Sequence, residues 1–68
     1  MTFSEAVKKI RKELFLSQED FAKDIGVAFS PVNRWENGKN APRYKVMKLL
    51  NDYCKQYSID VSITEMED

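Results

Sequence analysis

The sequence predicts an all-α fold, a compact bundle of four to five helices containing a helix-turn-helix, with a short β-strand or a frayed tail at its C-terminal end. Three observations predict it. Apolar side chains recur at steps of three and four through most of the 68 residues. Helix-start signals at Thr2 and Ser17 alternate with stop signals at Gly26 and Asn37-Gly38. Only beyond Ser58 does the apolar period shorten towards two.

Thr2 followed by Glu5 is a capping box, and Phe3, Val7, Ile10 and Leu14 then share one face, so the first helix is predicted over about residues 3–14. Ser17 is an N-cap with Glu19 and Asp20 near the positive end of the helix dipole. Phe21, Ala22 and Ile25 form the apolar side of this second helix, and Gly26 stops it. A third helix ends at Asn37-Gly38 with Val32 and Trp35 as its inward pair. Its start is ambiguous from the residues alone: either Ser30 caps it with Pro31 as first residue, or it begins near Ala28 with Pro31 inside the first turn. After the turn signal Asn40-Ala41-Pro42, the residues Val46, Leu49, Leu50, Tyr53, Cys54 and Tyr57 predict a fourth helix over about 43–57. Ile59, Val61, Ile63 and Met66 then nearly alternate with polar residues, the pattern of a half-buried strand. Two parts follow: 1–57 as one helical domain, and 58–68 as an acidic segment that is either a dimerisation strand or a disordered tail.

Composition removes most other classes of protein. A chain this short buries only about 60% of its unfolded surface and has little room for an elaborate active site. It has no His and a single Cys, Cys54, so neither Ser-His-Asp nor Cys-His catalysis nor the usual Cys/His zinc sets can be built, and no cofactor or metal is implied. One Cys forbids an internal disulfide and points to a reducing, cytoplasmic setting. On the apolar stripe of the fourth helix it reads as an inert core thiol rather than a redox sensor. The longest apolar run, Leu14-Phe15-Leu16, is far short of the roughly 20 residues a membrane span needs, and the start is not that of a signal peptide. The net charge of zero hides an asymmetry: residues 1–57 carry eleven basic and seven acidic side chains, whereas 58–68 carry Asp60, Glu65, Glu67 and Asp68 and no base.

Two short helices joined by a tight glycine turn, with a Trp late in the second, have the spacing of a helix-turn-helix. The words of the sequence add to that spacing: Leu16-Ser17-Gln18-Glu19-Asp20-Phe21-Ala22, then Ile25-Gly26-Val27, then Val32-Asn33-Arg34-Trp35-Glu36-Asn37-Gly38-Lys39, then Pro42. Over about residues 5–55 the chain resembles the lambda-repressor-like, Cro-type (XRE) helix-turn-helix family. That resemblance implies a third helix lying in the DNA major groove, started near Ala28, and a second helix bracing it across the backbone.

The residues facing bases are then Phe29, Ser30, Asn33 and Arg34. Arg34 suits guanine O6 and N7, Asn33 adenine N6 and N7, Ser30 either donation or acceptance, and Phe29 a thymine methyl group. Alternatives stay open: Arg34 as a phosphate contact or solvated charge, Asn33 as a polar surface residue, Phe29 as a buried staple. Gln18 matches the family's backbone-clamping Gln, and Asn37, Lys39 and Arg43 match positions that grip phosphate, although Lys39 and Arg43 also read as ordinary surface cations. The resemblance further implies an ion pair between Arg11 and Glu36 that ties the first helix to the third, while Trp35 is a core residue. Two positions depart from the family, Phe15 where Gly often ends the first helix and Ala28 where Ser or Thr usually caps the third, and the neutral net charge predicts weak non-specific binding.

The reading that follows is a cytoplasmic, sequence-specific double-stranded DNA-binding protein, a small transcriptional regulator and most simply a repressor. It is not an enzyme. Relatives commonly bind as homodimers, and either the 59–65 segment or a patch of Tyr53, Tyr57 and Met47 is the expected interface. The rival is a protein-interaction module, antitoxin-like or phage-encoded, that keeps the fold while facing a protein partner.

Overall fold

The computed structural model describes residues 2–38 and 43–61. Among them four helices follow one another: α1 Phe3–Glu13, α2 Gln18–Ile25, α3 Phe29–Glu36 and α4 Tyr44–Gln56. α1 and α4 end within a residue of the predicted limits. α3 packs on both α1 and α2, and α4 closes against α2.

Each helix start is explained by its own residues. At α1 the Thr2 hydroxyl accepts from the Glu5 N–H at 3.3 Å while the Glu5 carboxylate accepts from the Thr2 N–H at 3.0 Å, which is the reciprocal capping box. Ser17 caps α2 by accepting from the Asp20 N–H at 3.0 Å. Ala28 precedes α3 with extended backbone and no side-chain cap, so α3 takes the earlier of its two possible starts and Pro31 falls in the first turn. Nothing in the sequence of α3 caps its free N–H groups; they are left for solvent or a ligand.

The ends show where sequence and backbone disagree. Gly26 closes α2 at φ +86°, the left-handed conformation glycine adopts at little cost. Phe15 takes the same region, φ +56°, at the end of α1, where its N–H reaches the Lys12 carbonyl and the Leu16 N–H reaches the Arg11 carbonyl. Its ring is 95% exposed and packs on almost nothing. The left-handed conformation costs a non-glycine residue about 1–2 kcal/mol, more than the extra chain entropy glycine brings to the unfolded state. Phe15→Gly is therefore expected to stabilise the domain by about 0.5–1 kcal/mol, seen as a higher urea midpoint at unchanged slope. A lower midpoint would mean that the ring holds the fold in a way its exposure conceals.

The core gathers Phe3, Val7 and Ile10 of α1, Phe21 and Ile25 of α2, Val32 and Trp35 of α3, and Leu50, Tyr53 and Cys54 of α4. Two edge-on ring pairs cross it, Phe3 with Trp35 at 6.1 Å and Phe21 with Tyr53 at 5.4 Å. Asp24 of α2 accepts from the hydroxyls of Tyr53 at 2.6 Å and Tyr57 at 3.2 Å, clamping α4 to α2. This corrects the expected patch of Tyr53, Tyr57 and Met47: Tyr53 is buried, with its hydroxyl spent inside the chain. Burial pushes the Cys54 thiol above its usual range, as suits an unreactive core residue.

The alternating segment also differs from expectation in its described part. Ser58, at φ +56°, turns the chain, and Ile59 and Val61 pack onto the core from irregular backbone rather than a strand. Alternation specifies one apolar side, which an irregular segment laid on a core satisfies as well as a strand does. The rest of that segment, including Ile63 and Met66, lies outside the described residues.

Candidate nucleic-acid interface

α3 presents two edges of opposite character. Val32, Trp35 and Glu36 are buried against α1 and α2, whereas Phe29, Ser30 and Arg34 are exposed. Phe29 is 48% exposed, so it is not a buried staple. Ser30 and Arg34, four residues apart, stand one turn above each other, and the aromatic face of Phe29 lies at the uncapped start of the helix. The chemistry offered outward is one hydroxyl, one guanidinium and one ring.

Beneath that edge runs a string of hydrogen bonds. Glu36 is 3% exposed, and Arg11 grips its carboxylate with two parallel N–H groups, Nε at 2.7 Å and Nη2 at 2.9 Å. The remaining Arg11 nitrogen, Nη1, donates to the Leu16 carbonyl at 3.0 Å, so the same side chain also holds the turn between α1 and α2. Burial alone would push the Glu36 carboxyl up. The hydrogen bonds from Arg11 and Gln18 and the positive charges of Arg11 and Lys8 outweigh it and hold the group below its ordinary 4.5. In return, its hydrogen bond to Glu36 raises Arg11 against the effect of burial.

The carboxylate also decides how its neighbours face. It can only accept, so Gln18 turns its Nε2 towards Glu36 at 3.2 Å and its oxygen away. That oxygen accepts from Asn33 Nδ2 at 3.1 Å, which leaves the Asn33 oxygen to accept from Asn37 Nδ2 at 3.1 Å. A single buried charge thus fixes the orientation of three amides running from the start of α2 to the end of α3. Each amide nitrogen keeps one further N–H to offer outward.

The residues expected to touch DNA therefore divide. Phe29, Ser30 and Arg34 lie together on the open edge of α3. Asn33 is half-buried and tied at both ends, so one N–H and one oxygen lone pair remain to it for a base. Gln18, at the first position of α2, and the exposed Asn37 sit at opposite ends of the string. Arg43 is exposed at the N-terminus of α4, and Lys39 lies outside the described residues. Sequence reasoning missed the tie between Asn33 and Asn37, which their i, i+4 spacing could have signalled. It also missed Tyr44, 95% exposed beside Arg43; a tyrosine at helix spacing carries no sign of facing solvent.

A family model described as helix-turn-helix matches residues 7–62. No curated protein and no solved structure matches the chain significantly. No helix among the described residues is long and apolar enough to cross a membrane.

Proposed function

The chain belongs to the XRE, lambda-repressor-like helix-turn-helix family of DNA-binding regulators, and from that premise we propose that it binds double-stranded DNA sequence-specifically as a small cytoplasmic transcriptional repressor. One observation carries the reading. α3 is anchored along its inner edge by Trp35, Val32 and the Glu36 ion pair, and its outer edge is left open with groove-reading side chains.

In this reading residues 1–57 form the DNA-binding unit. Arg34 forks onto a guanine, Ser30 bonds a neighbouring base edge and Phe29 covers a thymine methyl. Asn33 offers its one remaining N–H, while its other N–H holds Gln18 and its oxygen holds Asn37. Gln18, Asn37, Lys39 and Arg43 grip phosphates on the two sides of the groove, with the second Gln18 N–H joining the backbone N–H groups at the start of α2. Ala28 supplies no hydroxyl for a phosphate, which together with the neutral net charge leaves non-specific affinity low and specificity dependent on α3. Two copies bind two half-sites as a homodimer, since one reading helix spans only a few base pairs. Repression follows from occupancy: a domain seated in the groove excludes polymerase from the same stretch of DNA.

The test is a gel shift across genomic fragments at low and moderate salt. Wild-type protein is expected to discriminate between fragments, and Arg34→Ala to weaken the preferred fragment by about 1–3 kcal/mol per contact, roughly 5–150-fold, with no loss of melting temperature. Absence of binding at any salt would overturn the proposal in favour of a module that faces a protein.

A further inference from the structure

We propose that Asn37-Gly38 is a self-modification site, at which water slowly converts the Asn37 side-chain amide to a carboxylate and switches off the edge of the DNA surface it occupies. The chemistry is built into the chain, and its consequence for DNA rests on the function proposed above. The Gly38 nitrogen, having lost its proton to base, attacks Cγ of Asn37 and closes a five-membered imide. The Cγ–Nδ2 bond breaks, and the nitrogen takes up a proton and leaves as ammonia. Water then adds to either imide carbonyl, opening the ring to aspartate or to isoaspartate; no redox change occurs.

Three features favour this position. Asn37 is exposed at the end of α3, where helices fray. Gly38 has no Cβ to crowd the approach of its nitrogen to the Asn37 side chain. The other asparagines, Asn33, Asn40 and Asn51, precede Arg34, Ala41 and Asp52, whose side chains crowd the attacking nitrogen.

Two hydrogen bonds restrain the reaction. The leaving nitrogen donates to the Asn33 oxygen at 3.1 Å, and the attacking Gly38 N–H donates to the Trp35 carbonyl at 3.2 Å. The string from Glu36 through Gln18 and Asn33 therefore orients the amides and also holds Asn37 in its unreactive form. Once converted, position 37 loses its donor to Asn33, and a negative charge stands at the negative end of the α3 dipole. The same charge faces the phosphates that Asn37 is proposed to grip, and the isoaspartate form also lengthens the backbone there.

The experiment follows the intact chain through prolonged incubation at neutral and mildly alkaline pH, with mass analysis of the tryptic peptide 35–39. The mass gain of an amide-to-acid conversion is expected there ahead of the other three asparagines, and faster at the higher pH. Asn33→Ala, which removes the restraining oxygen, should accelerate it. Asn33→Asp, which keeps an acceptor, should not; if it is as fast as Asn33→Ala, the restraint is refuted. Peptide 35–39 remaining unconverted, or converting no sooner than the others, overturns the proposal. The converted fraction and Asn37→Asp should both bind the preferred DNA fragment about tenfold or more weakly, as expected for a like charge placed against the phosphates. Conversion with undiminished binding would overturn the switch, and with it Asn37 as a phosphate contact; failure of the unconverted protein to bind any fragment would instead count against the DNA reading.

Discussion

Arg11→Ala is expected to destabilise the domain by about 3–5 kcal/mol at neutral pH, because it strands the buried Glu36 carboxylate without its counter-ion. The whole stability of a 68-residue domain is about 3–10 kcal/mol, so the melting temperature should fall by more than about 10 °C. The pH dependence distinguishes this cause from simple loss of packing. In the wild type Glu36 sits below its unfolded value of 4.5, so its contribution is present above that pH and is lost as acid carries the protein through the lower folded value. In the variant, burial of Glu36 meets only Gln18 and Lys8, and its carboxyl rises. Protonation then relieves the strain, and the deficit relative to wild type should narrow as the pH falls. Adding Glu36→Gln to Arg11→Ala should recover part of the loss at neutral pH, since a neutral amide at position 36 leaves no charge stranded. Denaturant titrations at several pH values would read both effects. A deficit that is small at neutral pH, or that widens on acidification, would show that the pair contributes nothing as a pair.

How much of this was legible beforehand depends on whether a feature is local in the chain. The capping box at Thr2 and Glu5, the Ser17 cap and the left-handed Gly26 each depend on residues within one turn, and the sequence displays them directly. The start of α3 was not settled by the residues, because Ser30-Pro31 is as good a local start as Ala28; the resemblance decided it. Arg11 and Glu36 lie 25 positions apart, and only the family's pattern suggested that they should meet. The amide string could not be read, because its direction is imposed by a carboxylate that reaches Gln18 only in the folded chain. The hydroxyls of Tyr53 and Tyr57 on Asp24 are likewise invisible to periodicity, which places a tyrosine on a face without telling where its oxygen ends. Phe15 shows the limit in the other direction: the departure from glycine was plain, and the structure shows it met by a left-handed phenylalanine rather than by rerouting the turn.

The inner edge of α3 should prove as consequential as its ion pair. Trp35→Ala removes a side chain that is 6% exposed and leaves the Phe3 ring facing a void, at a cost of about 3–5 kcal/mol. On a domain this small the variant should be largely unfolded at physiological temperature, by far-UV circular dichroism. Trp35→Phe is the informative partner. It keeps an aromatic edge against Phe3 and gives up only part of the volume, so it should fold with a lowered melting temperature. Because Trp35 faces away from the proposed groove, the folded Phe variant should retain DNA affinity within a few-fold, whereas Arg34→Ala should lose affinity and keep its stability. The chain has one Trp, so its emission follows this edge of α3 alone and should shift to the red as urea unfolds the wild type. If Trp35→Phe folds as firmly as the wild type yet fails to bind, the division of α3 into an anchoring edge and a reading edge is wrong, and Trp35 itself meets the DNA.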